Sequence, residues 1–321
     1  MKAIKILLNV ILAAALFSSC KKDSDIFTPN LTSTGLDTNW VASITDQSLI
    51  SQLKKLLNRD IILDSLDASG GGSFQTSEGL TIAVLPQSLV LPNGQMATGK
   101  VYAETMLIKE RGDMLRIDKT TTSNGRVLIS GGEVFIKLRK DNQELNLAPG
   151  KTIYIKFRDN NPSALMKVFH GDESLSFKFN WMSSNDAIGT STQPGYEISS
   201  SNLRWIAPHY FADTSGTRTF VTASIPADCT NGNTSVFLVF KDIKSVVGMY
   251  GDVNSKKFSS GKVPSGKAAV VVSITKKGNN SFFLAHENII TGQPNLNGIQ
   301  YVPLKPQPTS ITDIKAYLNT L

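Results

Sequence analysis

Long parts of the chain alternate between apolar and polar residues, the pattern of β-strands with one buried face. The alternation is clearest over residues 134–139, 153–157 and 177–181. Turn signals rich in glycine, proline and asparagine separate such stretches, at Pro92-Asn93-Gly94, Asn124-Gly125, Gly131-Gly132 and Pro149-Gly150. Short strands at this spacing predict a β-sandwich.

A second β-rich block follows, and its strands have a different character. Continuous apolar runs at residues 236–240 and 268–272 indicate strands that are buried on both faces or central in a sheet. Between the blocks, residues 183–201 are rich in Ser, Thr, Asn and Gly and show no apolar period, which indicates a linker or a long loop. The chain is therefore predicted to be all-β, with two sandwich-like domains.

Short helices are predicted near both ends. Apolar residues recur at helical spacing over residues 49–57, residues 43–46 resemble a capping box, and the glycines at 70–72 end the pattern. An extended, proline-rich segment at 303–308 precedes a final helix that starts near Ser310. The apolar side of that helix consists of Ile311, Ile314, Tyr317 and Leu318.

The first twenty residues form a secretory signal. Lys2 and Lys5 precede an apolar run over residues 6–17, and the small residues 18–19 lead directly into Cys20. The string LFSSC resembles the lipobox of bacterial lipoproteins, which implies cleavage before Cys20 and a lipid on that cysteine. The alternative is an ordinary signal peptide in which Cys20 is incidental. No other stretch approaches the roughly 18 apolar residues of a membrane helix, so the expected anchor is lipid.

The residues after Cys20 indicate to which membrane the lipoprotein is sent. Lys21 follows Cys20, where an aspartate commonly retains lipoproteins at an inner membrane, so the outer membrane is the expected destination. Lys22, Asp23 and Asp25 match only in part the lysine-plus-acid signal for surface export in Bacteroidota. Both the periplasmic and the surface-facing orientation therefore stay open.

The predicted division of the chain has seven parts: 1–19 signal peptide, 20–42 lipidated tether, 43–69 short helix and linker, 70–182 first β-sandwich domain, 183–202 linker, 203–300 second β-rich domain, and 301–321 extended segment with C-terminal helix.

Charge and cysteine content exclude several function classes. The signal peptide carries two lysines, so its removal lowers the formal net charge from +7 to +5, without any block of like charges that would predict nucleic-acid binding. With Cys20 lipidated, Cys229 has no partner for a disulfide and is predicted to be buried as a small hydrophobe. The histidines, His170, His209 and His286, lie far apart, and neither a metal nor another cofactor is predicted.

Two short motifs imitate catalytic signatures. Gly261–Lys267 fits the GxxxxGK phosphate loop, but Ala268 stands where Ser or Thr should bind magnesium, and a β-branched run replaces the required helix. We therefore predict no nucleotide binding. His286-Glu287 begins like HExxH, but Ile290 occupies the second histidine position, so a zinc protease site is not expected.

Other candidate residues have competing interpretations. His170–Glu173 could place metal ligands in one loop, although a polar turn is the simpler interpretation. No GxSxG elbow occurs, but an enzyme site assembled from distant loops stays open. Trp205, His209 and Tyr210, within LRWIAPHYF, are candidate ligand contacts, since stacked aromatic rings bind sugars. The alternative is a strand whose aromatic residues pack in a core.

The first β block resembles a known family. The runs at residues 79–101, 123–138 and 144–157 resemble the ZU5-like β-sandwich of Bacteroidota envelope lipoproteins, and residues 233–250 resemble the companion domain that follows it there. ZU5 domains elsewhere are protein-interaction modules without catalytic residues. The resemblance thus implies a non-catalytic envelope lipoprotein with a protein or glycan partner. The alternative is an envelope hydrolase with a loop-assembled active site.

Overall fold

The computed structural model describes residues 38–174, 179–190, 194–212, 215–294 and 296–321, with only the backbone at Thr190. The signal peptide, Cys20 and most of the predicted tether lie outside these residues. The described part is built mainly of antiparallel β-sheets, with three short helices. The predicted all-β class with short terminal helices is therefore confirmed. No described helix is long and apolar enough to cross a membrane.

The helices are α1 (Leu49–Leu57), α2 (Arg111–Arg116) and α3 (Ile311–Leu318). The strands of the first half are β1 (Ile62–Asp67), β2 (Gly72–Gln75), β3 (Thr81–Val84), β4 (Leu89–Val90), β5 (Lys100–Ile108), β6 (Thr122–Ser123), β7 (Arg126–Ser130), β8 (Glu133–Lys140), β9 (Gln143–Glu144), β10 (Asn146–Leu147), β11 (Ile153–Arg158), β12 (Lys167–Asp172), β13 (Asn180–Ser183), β14 (Ala187–Thr190), β15 (Gly195–Ser200) and β16 (Arg204–Phe211). Those of the second half are β17 (Arg218–Ser224), β18 (Thr234–Phe240), β19 (Val246–Asp252), β20 (Lys257–Ser259), β21 (Val263–Pro264), β22 (Ala268–Lys277), β23 (Ser281–Ile290), β24 (Ile299–Pro303) and β25 (Gln307–Thr309).

The first half is a sandwich of two sheets. Sheet I has the order β1-β5-β8-β16-β12-β13, with β7 beside β16, and sheet II has the order β14-β15-β11-β3-β2. Apolar side chains from both sheets form one core, among them Val101, Ile136 and Ile206 from sheet I and Ile82, Ile155 and Ile198 from sheet II. The period-two pattern thus marks the inner faces of this sandwich.

The second half is a single sheet, sheet III, that curves around its own core. Its order is β21-β17-β20-β19-β18-β22-β23-β25, and β24 runs parallel to β17. Strands from distant parts of this order meet in the core, among them Val221 of β17, Leu238 of β18, Val271 of β22 and Val302 of β24. The predicted central position of Val236–Phe240 is confirmed, because β18 is buried on both faces between β19 and β22.

The predicted boundary between the halves is wrong. Residues 183–202 are not a linker, because β14 and β15 lie in sheet II, and β16 lies in sheet I rather than in the second block. The stretch lacks an apolar period because Ser200, a polar residue, is fully buried and hydrogen-bonded on the same strand face as Ile198. The change from sheet I to sheet III falls after Phe211 instead.

A third hydrophobic core joins the two halves, so the described residues form one compact unit. It lies between the outer face of sheet I and sheet III and includes Phe135 of β8 and Phe237 of β18. The terminal helices complete it, with Leu53 from α1 and Leu318 from α3. The start of α1 differs from the prediction, since the side chain of Ser48 accepts the N-cap hydrogen bond.

Gly112 sets the contact between α2 and α3. A Cβ atom at this position would lie 1.7 Å from the carbonyl oxygen of Leu318, so the backbones could not stay at their present distance. Gly112→Ala is expected to lower the free energy of unfolding by about 1–3 kcal/mol, as other overpacked sites do. Chemical denaturation measures this effect, with Gly216→Ala, which has open space around it, as the matched control. Equal stability of the two variants would contradict the tight helix contact.

Candidate functional site

The nearest approach to a catalytic constellation is a histidine, an aspartate and a serine. Nε2 of His170 on β12 lies 2.7 Å from Oδ2 of Asp186 and 3.2 Å from Oγ of Ser200 on β15. A serine nucleophile requires the carboxylate on one ring nitrogen and the hydroxyl on the other, whereas here both contact the same nitrogen. The hydroxyl of Ser200 is buried and also bonds to the backbone of Asn202.

These contacts connect the two sheets of the sandwich. Burial opposes ionisation of Asp186, but hydrogen bonds from Ser201 and His170 outweigh it and hold the pKa of Asp186 below its usual range. The stabilised carboxylate fixes His170 of sheet I against the end of β15 in sheet II. We therefore assign a structural role to the cluster.

The candidate metal ligands at 170–173 do not converge, and His170 and Asp172 lie on β12 rather than in the predicted loop. The carboxylate of Asp172 accepts a hydrogen bond from the backbone N–H of Ser174, while Glu173 forms ion pairs with Lys119, at 3.0 Å, and with Arg204, at 2.7 Å. Among the described residues, no group of three or more His, Cys, Asp or Glu side chains could hold a metal ion.

Glu173 is the centre of a charged and aromatic cluster. Its carboxylate also accepts a hydrogen bond from Nε1 of Trp205, at 3.1 Å, and Nζ of Lys119 lies 4.3 Å from the ring centroid of Phe179. Burial opposes ionisation of Glu173, but Lys119 and Arg204 outweigh it and lower its pKa. The cluster holds Phe179 in place next to the β12–β13 hairpin.

The three candidate ligand contacts on β16 do not share a surface. Trp205 and His209 face the core between the halves and are buried, whereas Tyr210 packs partly buried against the sandwich core on the other face. His209 lies 4.7 Å from Trp181, measured between ring centroids. The packing interpretation is favoured for Trp205 and His209. Cys229 is buried, as predicted.

Two ionisable side chains are fully buried without a hydrogen-bond partner among the described residues, Glu133 on β8 and His209 on β16. Burial raises the pKa of Glu133 well above its ordinary value of 4.5, although the charge of Lys119 opposes this. Burial lowers the pKa of His209 from 6.5 to about 3. Burial therefore favours the neutral form of both groups.

The strongest candidate for ligand binding is a cleft between the halves, which we call the junction cleft. Its volume is about 570 Å³, within the usual range for small-ligand sites. The β6–β7 turn, the β12–β13 hairpin, β19 and the segment before β21 form its walls. The lining residues are Thr122, Asn124, Gly125, Val127, Asp172, Phe179, Asn180, Met182, Val247, Gly248, Tyr250, Gly261, Lys262 and Val263.

The cleft combines exposed apolar surface with polar groups. Met182 and Tyr250 are each 44% exposed. Asn124 and Asn180 orient each other, through a bond from Nδ2 of Asn180 to Oδ1 of Asn124, at 3.1 Å, and one from the backbone N–H of Asn124 to Oδ1 of Asn180, at 2.8 Å. No described residue accepts from Nδ2 of Asn124, so this amide can donate to a ligand.

Sequence reasoning did not find this cleft. Its residues come from segments up to 141 positions apart, Thr122 to Val263, and Asn124-Gly125 was identified only as a turn. Lys262 belongs to the sequence that imitates the GxxxxGK phosphate loop. The strand predicted after that sequence is confirmed, because β22 begins at Ala268. Without a helix after the loop, no N-terminus faces a phosphate.

Comparisons with known proteins give no family. No family model matches the chain, and no curated protein matches it. Among solved structures, a crystal structure of a gamma-CGTase from alkalophilic Bacillus clarkii aligns at 11% sequence identity with a TM-score of 0.20. The alignment covers 78% of this chain and 40% of that chain. A TM-score this low supports no conclusion about fold or function.

Proposed function

We propose that this protein is a lipid-anchored, non-catalytic binding protein of the bacterial outer membrane, and that its junction cleft binds a glycan. The observation behind the proposal is that the half-exposed Tyr250 and the donor amide of Asn124 line the same cleft. A sugar ring has an apolar face and a rim of hydroxyl groups, so it matches an aromatic face next to amides. The resemblance of the first half to ZU5-like lipoproteins supports the non-catalytic assignment.

Tyr250→Ala is expected to weaken glycan binding at least tenfold, because it removes the stacking surface from the cleft. Titration calorimetry with the detergent-solubilised protein and neutral and acidic oligosaccharides of four to six sugars measures this. Tyr102→Ala is the matched control, since Tyr102 is 55% exposed and lies outside the cleft. Binding that survives Tyr250→Ala unchanged, or binding of none of the sugars, would reject the glycan assignment.

The same mixtures test the hydrolase alternative. A non-catalytic protein leaves the oligosaccharides intact after long incubation, as chromatography would show. Shortened products that disappear in His170→Ala would establish an enzyme instead and would give the histidine cluster a catalytic role.

The lipid anchor has its own test. Cys20→Ser is expected to abolish labelling by a palmitate analogue and to leave the precursor uncleaved, because the lipidated cysteine is required for processing. Cys229→Ser, a change at a buried cysteine, should be labelled and cleaved like the parent. A Cys20→Ser variant that is processed and membrane-bound like the parent would refute lipidation. Protease added to intact cells then distinguishes a surface-facing from a periplasmic protein.

A further inference from the structure

Sheet III leaves two strand edges facing each other across an open groove, which we call the edge groove. β23 pairs with β22 along its whole length, but on its other side β25 covers only Phe282–Leu284. β24 pairs with β17 on one side. The groove between β23 and β24 has a volume of about 840 Å³ and is lined by residues 284–290, 293–294, 300–305 and 307–309.

The exposed edge of β23 carries backbone groups without partners. In an antiparallel pair, alternate residues direct N–H and C=O to opposite sides of the strand. Over residues 285–289, one side of β23 bonds to β22, and no described residue bonds to the backbone on the other side. Unpaired edges of this kind accept a further strand.

Both ends of the groove are closed. At one end, Nε2 of Gln300 donates to the carbonyl oxygens of Ile290, at 3.2 Å, and Gln293, at 2.8 Å, which ties β24 to the end of β23. At the other end, β25 pairs with Phe282–Leu284. The open stretch of five residues between them is about 17 Å long at the usual rise per residue.

The side chains define what the groove can hold. Ala285, Val302 and Leu304 are buried in the core of sheet III, and Ile289 packs against it partly buried, so these residues give the groove an apolar floor. Two exposed charged residues also line the groove, Lys305 and Glu287, which lies between Ala285 and Ile289 on the same face of β23. An extended segment with apolar residues at every second position would place them on this floor and its polar residues toward solvent.

We propose that the edge groove binds an extended peptide segment of a partner protein as an inserted strand, with backbone hydrogen bonds to β23 on one side and to β24 on the other. The occupant must have both of its edges free. A second copy of this chain does not meet that requirement through the same strands, because its β23 and β24 are each already paired on one side.

The test uses a synthetic amphipathic pentapeptide, TVYVK, which matches the open stretch in length, labelled with fluorescein and titrated with the detergent-solubilised protein. Two further peptides carry N-methyl groups on alternate amides, one at its two valines and the other at its tyrosine and lysine. A strand inserted between two edges uses both sets of amides, so each modified peptide is expected to bind at least tenfold more weakly. If only one of them, or neither, loses affinity, or if the parent peptide does not bind, the proposal is overturned.

Location is tested with two matched variants. Ile289→Lys places a charge on the apolar floor and should reduce peptide binding at least tenfold, whereas Val253→Lys, at a side chain that is 40% exposed and lies outside the groove, should retain it. Tyr250→Ala should also retain it, which separates this groove from the junction cleft. If Ile289→Lys does not fold, hydrogen exchange of the parent decides, since the peptide should slow exchange in residues 285–289 and 301–305. Protection elsewhere would contradict the proposal.

Discussion

Glu133→Gln is expected to increase the stability of the protein more with every pH unit above 4.5. Glu133 is fully buried in β8 and its pKa is raised by burial. A raised folded-state pKa means that the contribution of this carboxyl to stability is complete below the unfolded value of 4.5 and is lost as pH rises through the folded pKa. The loss amounts to about 1.4 kcal/mol per pH unit until the folded pKa is reached.

The measurement is the free energy of unfolding by urea for the parent and the variant between pH 4.5 and 8. Glutamine has the same shape as a protonated glutamate but does not titrate, so the difference between the two curves should widen as pH rises. Glu110→Gln, at an exposed glutamate, is the matched control and should run parallel to the parent. Parallel curves for Glu133→Gln as well would show that Glu133 titrates normally in the folded protein.

His209→Phe is expected to reduce the loss of stability that the protein shows at acidic pH. Burial lowers the pKa of His209 to about 3 in the folded state, against 6.5 when it is exposed. The unfolded chain therefore binds a proton below pH 6.5 that the folded protein excludes, and stability is lost as pH falls from 6.5 toward 3. By pH 4.5 the loss is roughly 3 kcal/mol, and phenylalanine, which packs in the same aromatic surroundings, removes it.

Urea unfolding between pH 7 and 4.5 measures this effect, with His286→Phe as the control because His286 is exposed. Above pH 4.5 the contributions of Glu133 and His209 to stability have opposite slopes and oppose each other in the parent. Each single variant should therefore tilt the profile in its own direction, and the double variant should lack both slopes. A His209→Phe profile with the slope of the parent would contradict the buried neutral imidazole.

Local patterns were sufficient for several of the strands and turns. Residues 134–139 and 153–157 alternate as β8 and β11 do, because one side of each strand faces the sandwich core. Asn124-Gly125 forms the tight β6–β7 turn, where both residues have positive φ, a conformation that asparagine and glycine adopt most readily. The strand after the GxxxxGK imitation was also predictable, since its β-branched residues favour a strand over a helix.

The partners of each strand depended on tertiary packing. β16 carries an apolar run that suits either half, and only its pairing with β8 and β12 places it in sheet I. Trp205 lies in the core that the outer face of sheet I shares with sheet III, and His209 packs against Phe169 and Trp181. The same packing buries Glu133, whose position at the start of a strand suggests a polar edge in the sequence.

The predicted lipid anchor depends on local sequence, whereas the candidate binding sites depend on tertiary packing. The predicted signal peptide and Cys20 form one contiguous motif, so lipid attachment at Cys20 is proposed from the order of amino acids alone. The edge groove and the junction cleft arise where segments far apart in the chain meet without completing a sheet or filling a core. Sequence periodicity specifies which face of a strand is apolar, whereas the shape of the space between strands depends on long-range packing that no local pattern encodes.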